Sequence, residues 1–598
     1  MADKKRFESE RYLAKLKVNP KDISRRFKKA EGATVKHARR FVFRRLDSFR
    51  EVRRHIAVWA LAIGIIIGAT GLQFLWYQQG YRTTTGATGG TYAEAVVGPI
   101  NSLNPLFASS SAEESASELL FSRLLRYDSN GTLNYDLAES MTVSEDQRTY
   151  TVTIRPDARW HDGLYVRARD VLFTVNLAKN TATRSTISGW GGIKVTEVDS
   201  RTVAFELPSV YAPFPHALEQ LPILPEHILR DVEPNALLEN GFSLKPVGSG
   251  PFAIRAVQDL ETATGRKVVH LTRNNDYYRG VAKLDRVQLH VYKDSDAVRR
   301  ALEQGEVNAA SDLLLNDSNQ VNQKRYTVET RPVNTGVYAL FNTTSPLLKD
   351  VSIRRALQVG TDTNKVREGV ANDLPALDMP FIPRQVAGDQ PTVPTYSTAK
   401  AGELLDAAGW RLDGSIRKKD GEPLQLSVVT MKNADFEKAL TELVAQWRAL
   451  GVTVTTRIVD PNDPLQNVAQ DILQPRQYDV LLYSLTIGGD PDVYVYWHSS
   501  QASNGYNFTN YRNSIVDDAL VSARSRLEPE LRNAKYLTFA RQWVSDAPAI
   551  GLYQSVAPYV HTKGVQATLA DTKLVAPTDR FGDVINWTVG ERRVYTTP

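Results

Sequence analysis

The sequence predicts an α/β architecture of several lobes, preceded by one membrane-crossing helix. Three observations lead to it. The chain has 598 residues, more than one compact core accommodates. Short β-branched runs alternate along it with amphipathic helical stretches. Residues 56–77 run for 22 positions without a charged side chain.

The amino-terminal part is the most biased in charge. Residues 1–55 carry 19 Lys+Arg against 7 Asp+Glu, so the net charge of +6 conceals a basic arm on a body of −6. Val42, Leu46, Phe49 and Val52 share a helical face among Arg44, Arg45 and Arg53. That pattern suits an anionic headgroup surface, and equally a charge block that only fixes topology. Nucleic-acid binding is not expected, since charge alone supports it and no fold motif accompanies the charge.

The stretch IAVWALAIGIIIGATGLQFLWY follows at 56–77. As a helix it is about 33 Å long, enough for a hydrocarbon core of roughly 30 Å. Arg53, Arg54 and His55 precede it, and Trp76 and Tyr77 close it. The amino terminus is therefore expected in the cytoplasm and the main body outside, on a single-pass membrane anchor. A cleaved signal peptide is the competing reading, but its apolar core would be only about 7–15 residues. Residues 78–90, rich in glycine and threonine, read as a flexible linker.

Beyond residue 90, YTVTI (150–154), TVAFEL (202–207), KVVHLT (267–272) and RVQLHVY (286–292) read as strands. Residues 399–410 and 435–451 read as amphipathic helices, with Gly409 and Gly451 at the expected carboxyl-terminal caps. Composition excludes several chemistries. There is no cysteine, hence no disulfide, thiolate metal site, cysteine nucleophile or lipidated cysteine. The nine histidines show no HExxH or HxH spacing, and neither a Walker A loop nor a GxSxG elbow occurs. One SxxK does occur, Ser397 to Lys400, but without KTG or SDN; Ser397 is better read as a helix cap than as a hydrolase nucleophile.

One stretch invites a binding role. In TIGGDPDVYVYWHSS (486–500), two glycines lead into Asp490 and Asp492, followed by Tyr494, Tyr496, Trp497 and His498. The residues alone also fit an Asx-type turn with solvated acids and core aromatics. His498 reads as a packing or surface histidine.

Several blocks in order carry a resemblance. They are INSLNPL (100–106), the long segment 119–175 containing RWHDGLYVRARD, and PVGSGPF (246–252). LTRNNDYYRGVAKLDRVQLHVYKD (271–294), ALEQGEVNAA (301–310), 338–362 and YSTAKAGELLDAAGW (396–410) follow. Together they resemble the extracellular solute-binding proteins of family 5, the oligopeptide- and dipeptide-binding components of ABC importers. Tyr135 stands where that signature usually has proline.

The resemblance implies a two-lobed periplasmic-binding-protein-like fold with an inserted extra domain. Residues 91–124, 221–335 and 556–590 would form the first lobe, 125–220 the insertion, and 336–555 the second lobe. The glycines of PVGSGPF would mark a bend where a strand crosses between lobes. A peptide would be captured between hinged lobes and delivered by a monomeric protein to permease subunits with their cytoplasmic ATPases, with no chemistry and no cofactor. The same scaffold serves nickel chelates, haem, sugars and muropeptides, and a sensor ectodomain is a further alternative. An aspartate in this region would pair with the peptide's ammonium group. Asp490 is the position carried over, with Asp492 the alternative, and Trp497, Asn504, Tyr506 and Asn507 are further candidate cleft residues. Because an unpaired buried carboxylate is costly, the ligand is expected to neutralise that acid and so permit closure.

Overall fold

The computed structural model describes residues 49–595 except 81, 129, 262–264, 462, 464 and 568–572. Most of the basic arm lies outside the described residues. The chain divides into two compact units. The smaller contains helix Phe49–Gly80 and most of a two-stranded ribbon formed by Arg82–Gly86 and Glu591–Tyr595. Val52–Trp76 of that helix is long and apolar enough to cross a membrane, with a mean hydropathy of 2.0. The linker reading of 78–90 needs correction: Thr83, Thr84 and Thr85 are β-branched and form a strand despite the nearby glycines.

The larger unit, 86–592, is built on a ten-stranded mixed sheet. Its strands are β1 (Thr91–Val97), β2 (Phe252–Glu261), β3 (Arg266–Arg273), β4 (Arg286–Tyr292) and β5 (Ala309–Ala310). β6 (Tyr326–Phe341), β7 (Gln425–Met431), β8 (Thr453–Val459), β9 (Val480–Thr486) and β10 (Ala549–Thr562) complete it. The order across the sheet is β8-β7-β9-β6-β10-β5-β1-β4-β3-β2. The two longest strands, β6 and β10, are adjacent and antiparallel and run through both halves. Their register breaks between Pro332 and Gly336, where pairing to β10 resumes at Gln554 after leaving Val556. Buried Gln554 donates from Nε2 to the Val333 carbonyl and so satisfies the irregular backbone there.

Alternation explains the layers. In β6, Val337, Ala339 and Phe341 face a core with Leu443, Trp447 and Leu357, whereas Tyr338 and Leu340 face Trp497, Phe539 and Trp543. In β1, Tyr92 and Val96 join Phe252, Leu289 and Trp587, while Ala95 joins Val298 and Leu302 on the opposite face. Residues 124–223 supply a separate core around Tyr150, Trp160, Trp190, Phe205 and Phe214. Over it lies a four-stranded antiparallel sheet in the order Ala138–Val143, Thr149–Ile154, Thr202–Glu206, Lys194–Glu197.

The sequence-predicted strands fall within a residue or two of those observed. Gly409 and Gly451 take φ of 89° and 88° just beyond helices Thr398–Ala407 and Ala434–Ala449, as capping glycines should. Ser397 caps the first of these helices by accepting the Lys400 amide, and the Lys400 ammonium pairs with Glu403. PVGSGPF does not lie where strands cross between halves. It leads the chain from the short helices of 226–243 into β2, and an added Cβ at Gly248 would lie 1.8 Å from the Leu120 carbonyl oxygen. Glycine is needed there for close approach to a helix end.

Candidate functional site

The turn after β9 is pinned from below by β6. The Asn334 carbonyl accepts the amide of Ile487, and its side-chain amide donates to the Gly488 carbonyl. Gln385 Nε2 donates to the same carbonyl. Gly488 has φ of 76°, a conformation that favours glycine. The pinned turn sets Gly489 directly against Tyr127 from the opposite wall: an added Cβ would lie 1.9 Å from the tyrosine hydroxyl.

Asp490 and Asp492, two residues apart, point into different surroundings. Asp490 Oδ1 accepts from Arg532 Nη2 at 2.6 Å, and both side chains are largely buried. His216, from the short helix Phe214–Glu219, places Nε2 3.7 Å from Asp490 Oδ2 and Nδ1 2.7 Å from the Tyr127 hydroxyl. Burial works to lower the Arg532 guanidinium, but the hydrogen bond and charge of Asp490 outweigh it and raise it above its ordinary value. Burial also lowers the His216 imidazole, against the opposing pull of Asp490. Asp492 turns the other way, accepting from Arg524 Nη2 at 2.8 Å and from the Tyr211 hydroxyl at 3.3 Å. Burial pushes its carboxyl up from the usual range, an effect Arg524 partly offsets.

A cavity of about 420 Å3 opens on the Asp490 side. Asn130, Gly131 and Lys573 line one wall; Asn334, Arg384, Gln385, Gly489, Asp490, Arg532 and Tyr536 line the other. Gln385 Oε1 is a buried acceptor with no partner among the described residues. A second cavity of about 790 Å3, more apolar, lies on the Asp492 side between Trp190, Leu207, Tyr211 and Phe214 and the facing Tyr494, Val521 and Arg524. Arg524 stacks over the rings of both Tyr211 and Tyr494. The walls are also joined by backbone, the Ala212 amide donating to the Arg524 carbonyl at 2.8 Å.

Four of the other candidates fall elsewhere. Trp497 is core, 1 % exposed, edge-on to Trp543 and Tyr338, because the short helix Tyr494–Trp497 turns it inward. Asn507 is fully buried and spends its amide on the His498 and Tyr511 carbonyls and the Thr509 hydroxyl. Asn504 and Tyr506 are exposed, and neither lines the cavity. The expectation that the ligand must neutralise Asp490 before closure is also corrected, because Arg532 already does so.

Sequence reasoning missed Arg532, Arg384, Gln385, Lys573, Tyr127 and His216. The only signal for Arg532 was its helix, Pro529–Asp546, whose periodicity puts Arg532 and Tyr536 on one face. No group of three or more His, Cys, Asp or Glu suited to a metal is present among the described residues.

The model of the bacterial extracellular solute-binding proteins, family 5, matches residues 132–507. The chain belongs to this family. It is 27 % identical over 482 residues to the oligopeptide-binding protein AppA of Bacillus subtilis, covering 78 % of this chain and 86 % of that one. The solved structure of the substrate-binding protein CtaP from Listeria monocytogenes superposes with a TM-score of 0.73 at 26 % identity, over 84 % of this chain and 99 % of that one. The structure of the Bacillus subtilis AppA with a nonapeptide superposes with a TM-score of 0.67 at 24 % identity, over 85 % of this chain and 100 % of that one. The fold is therefore the two-lobed binding-protein fold of the family. This family consists of solute-binding proteins.

Next to the cleft of this family 5 protein sits a buried acid cluster. Arg123 Nη1 contacts Glu118 at 2.5 Å and Glu219 at 3.0 Å. Burial pushes the Glu219 carboxyl up to about 8, despite the lowering effect of Arg123, and the Asp579 carboxyl up to about 6. Both hold their protons more tightly folded than unfolded. Their contribution to stability is thus complete below about pH 4 and is lost as pH rises through about 6 and then about 8. The melting temperature of the full chain is expected to fall between pH 5 and pH 8. Glu219→Gln, which fixes the uncharged shape, should reduce that fall in differential scanning fluorimetry.

Proposed function

We propose that this protein captures peptides between its two lobes and hands them to the permease of an ABC importer, held at the membrane by helix Phe49–Gly80 with its amino terminus in the cytoplasm. One observation carries the reading: a polar cavity at the meeting of the two walls, bounded by the pinned turn 487–490. Its polar lining suits a peptide backbone, and Gln385 Oε1 is an acceptor waiting for an N–H. The apolar cavity beyond Pro491 offers room for side chains. That relatives are oligopeptide- and peptide-binding proteins by name supports the same ligand class.

The lobes are assigned as 91–124, 221–335 and 556–590, with 125–220 inserted, and 336–555. Closure is a hinge motion at the irregular part of β6 and β10, near Pro332–Gly336. The protein acts as a monomer and performs no chemistry of its own. Native mass spectrometry of the full chain in detergent micelles tests the ligand class. Co-purifying masses that fragment as peptides are expected; a retained metal chelate, haem or sugar instead would contradict peptide capture.

A further inference from the structure

Away from the polar cavity the two walls are joined by a second set of contacts, made by residues that do not line that cavity. One half stands on the wall that carries the 488–492 turn. Arg524, the last residue of helix Ser514–Arg524, lies over the Tyr494 ring at 4.1 Å and donates from Nη2 to Asp492 Oδ2 at 2.8 Å. Asp492, Tyr494 and Arg524 share one wall, so this half is complete before the other wall approaches.

The other half is Tyr211 and Ala212, in the stretch LPSVYAPFP (207–215) of the facing wall. Pro208 and Pro213 restrict its backbone. The Tyr211 carbonyl accepts the Phe214 amide at 3.1 Å, and Phe214 is fully buried in the 124–223 core. The tyrosine is thus presented from a firm base and loses little freedom on contact. Its ring centre lies 4.9 Å from the Arg524 guanidinium carbon, and its hydroxyl donates to Asp492 Oδ2 at 3.3 Å. Beside it the Ala212 amide donates to the Arg524 carbonyl at 2.8 Å.

A solvated arginine–carboxylate pair contributes little by itself. The facing tyrosine changes that by excluding water: the Asp492 and Arg524 side chains are only 8 % and 25 % exposed, and a cation over an aromatic ring gains strength as it is desolvated. These cross-wall contacts form only when the walls meet, and they need no group from a ligand. A contact confined to the closed form raises the population of that form in the free protein. By linkage it also tightens every ligand by one common factor, whatever the ligand's sequence.

We infer that Tyr211 and Arg524 form a latch that populates the closed form before ligand arrives and, given the peptide-capture reading, sets affinity without touching the peptide. The full chain in detergent micelles is compared with Tyr211→Ala and Arg524→Lys, which break the latch from opposite walls. The lysine keeps a charge beside Asp492 but loses the flat guanidinium. A folding defect confined to one variant leaves the other to decide. Spin labels at Glu145→Cys and Glu530→Cys, both exposed, report the ligand-free distance by double electron–electron resonance.

The parent chain is expected to show a short-distance population without ligand, reduced at least about threefold in either variant. Dissociation constants for a set of pentapeptides of different sequence, measured by isothermal titration calorimetry, should rise about 3- to 30-fold, by the same factor for each peptide. Ligand-free distances that are identical in parent and variants overturn the latch. So does a changed rank order among the peptides, which would place Tyr211 or Arg524 in contact with the ligand. If no peptide binds the parent chain, the peptide-capture reading fails, and the ligand-free distances still decide whether the latch exists.

Discussion

Replacing Gly489 by alanine is expected to weaken ligand binding about 5- to 150-fold while leaving the fold intact. The backbone at Gly489 is not in the left-handed region, unlike Gly488, so alanine is compatible with the local conformation. The new methyl would lie 1.9 Å from the Tyr127 hydroxyl and 2.4 Å from its ring carbon Cζ. Overpacking of that kind costs about 1–3 kcal/mol, which is the stated range in affinity. Tyr127 and Gly489 stand on opposite walls of the cleft, so the cost falls on the closed form and the walls can relieve it by parting. The expected signature is a faster ligand off-rate with little change in melting temperature without ligand. Tyr127→Ala in the same chain removes the ring and should recover much of the affinity. Unchanged binding in Gly489→Ala would show that the walls need not meet this closely when ligand is held.

The second large effect concerns stability. Asp490→Asn removes the counter-charge of a guanidinium that is 15 % exposed and bonded at 2.6 Å. Leaving one member of a buried pair alone costs about 3 kcal/mol or more. Arg532→Gln should cost a similar amount from the other side, and the double variant should be less destabilised than the two single effects predict together. A coupling energy of about 1.5 kcal/mol or more by chemical denaturation is expected, within the range for residues in direct contact. Coupling below about 0.5 kcal/mol would mean that the Arg532–Asp490 contact contributes little to the fold. His216 adds to the network from the opposite wall at 3.7 Å, too long for a hydrogen bond but close enough for its charge to matter on protonation.

These two residues show where the sequence was legible and where it was not. Strands such as 286–292 and the helices capped by Gly409 and Gly451 are local in cause, and alternation and capping chemistry alone locate them. The turn at 488–492 was equally visible, since two glycines before two acids is a local signal. What its acids touch was not. Asp490 finds Arg532 42 residues away and Asp492 finds Arg524 32 residues away, because two helices fold back beneath the turn. Tyr127 and His216 come from a segment with its own core, more than 270 residues upstream, and nothing local in either segment announces the meeting. Trp497 was misread for a related reason. Aromatic runs look alike in sequence whether they line a cleft or fill a core, and only the packing against Tyr338 and Trp543 distinguishes them.

Ligand is expected to be held by two lobes that close about the irregular part of β6 and β10. Because the chain contains no cysteine, two introduced ones report without interference. Spin labels on Glu145→Cys and Glu530→Cys, both exposed, one in the inserted segment 125–220 and one in the proposed second lobe 336–555, allow the distance between lobes to be measured by double electron–electron resonance on the full chain. Addition of a saturating pool of free-acid peptides is predicted to shorten and narrow the distance distribution. A distribution unchanged by a pool that demonstrably binds would contradict capture by closure.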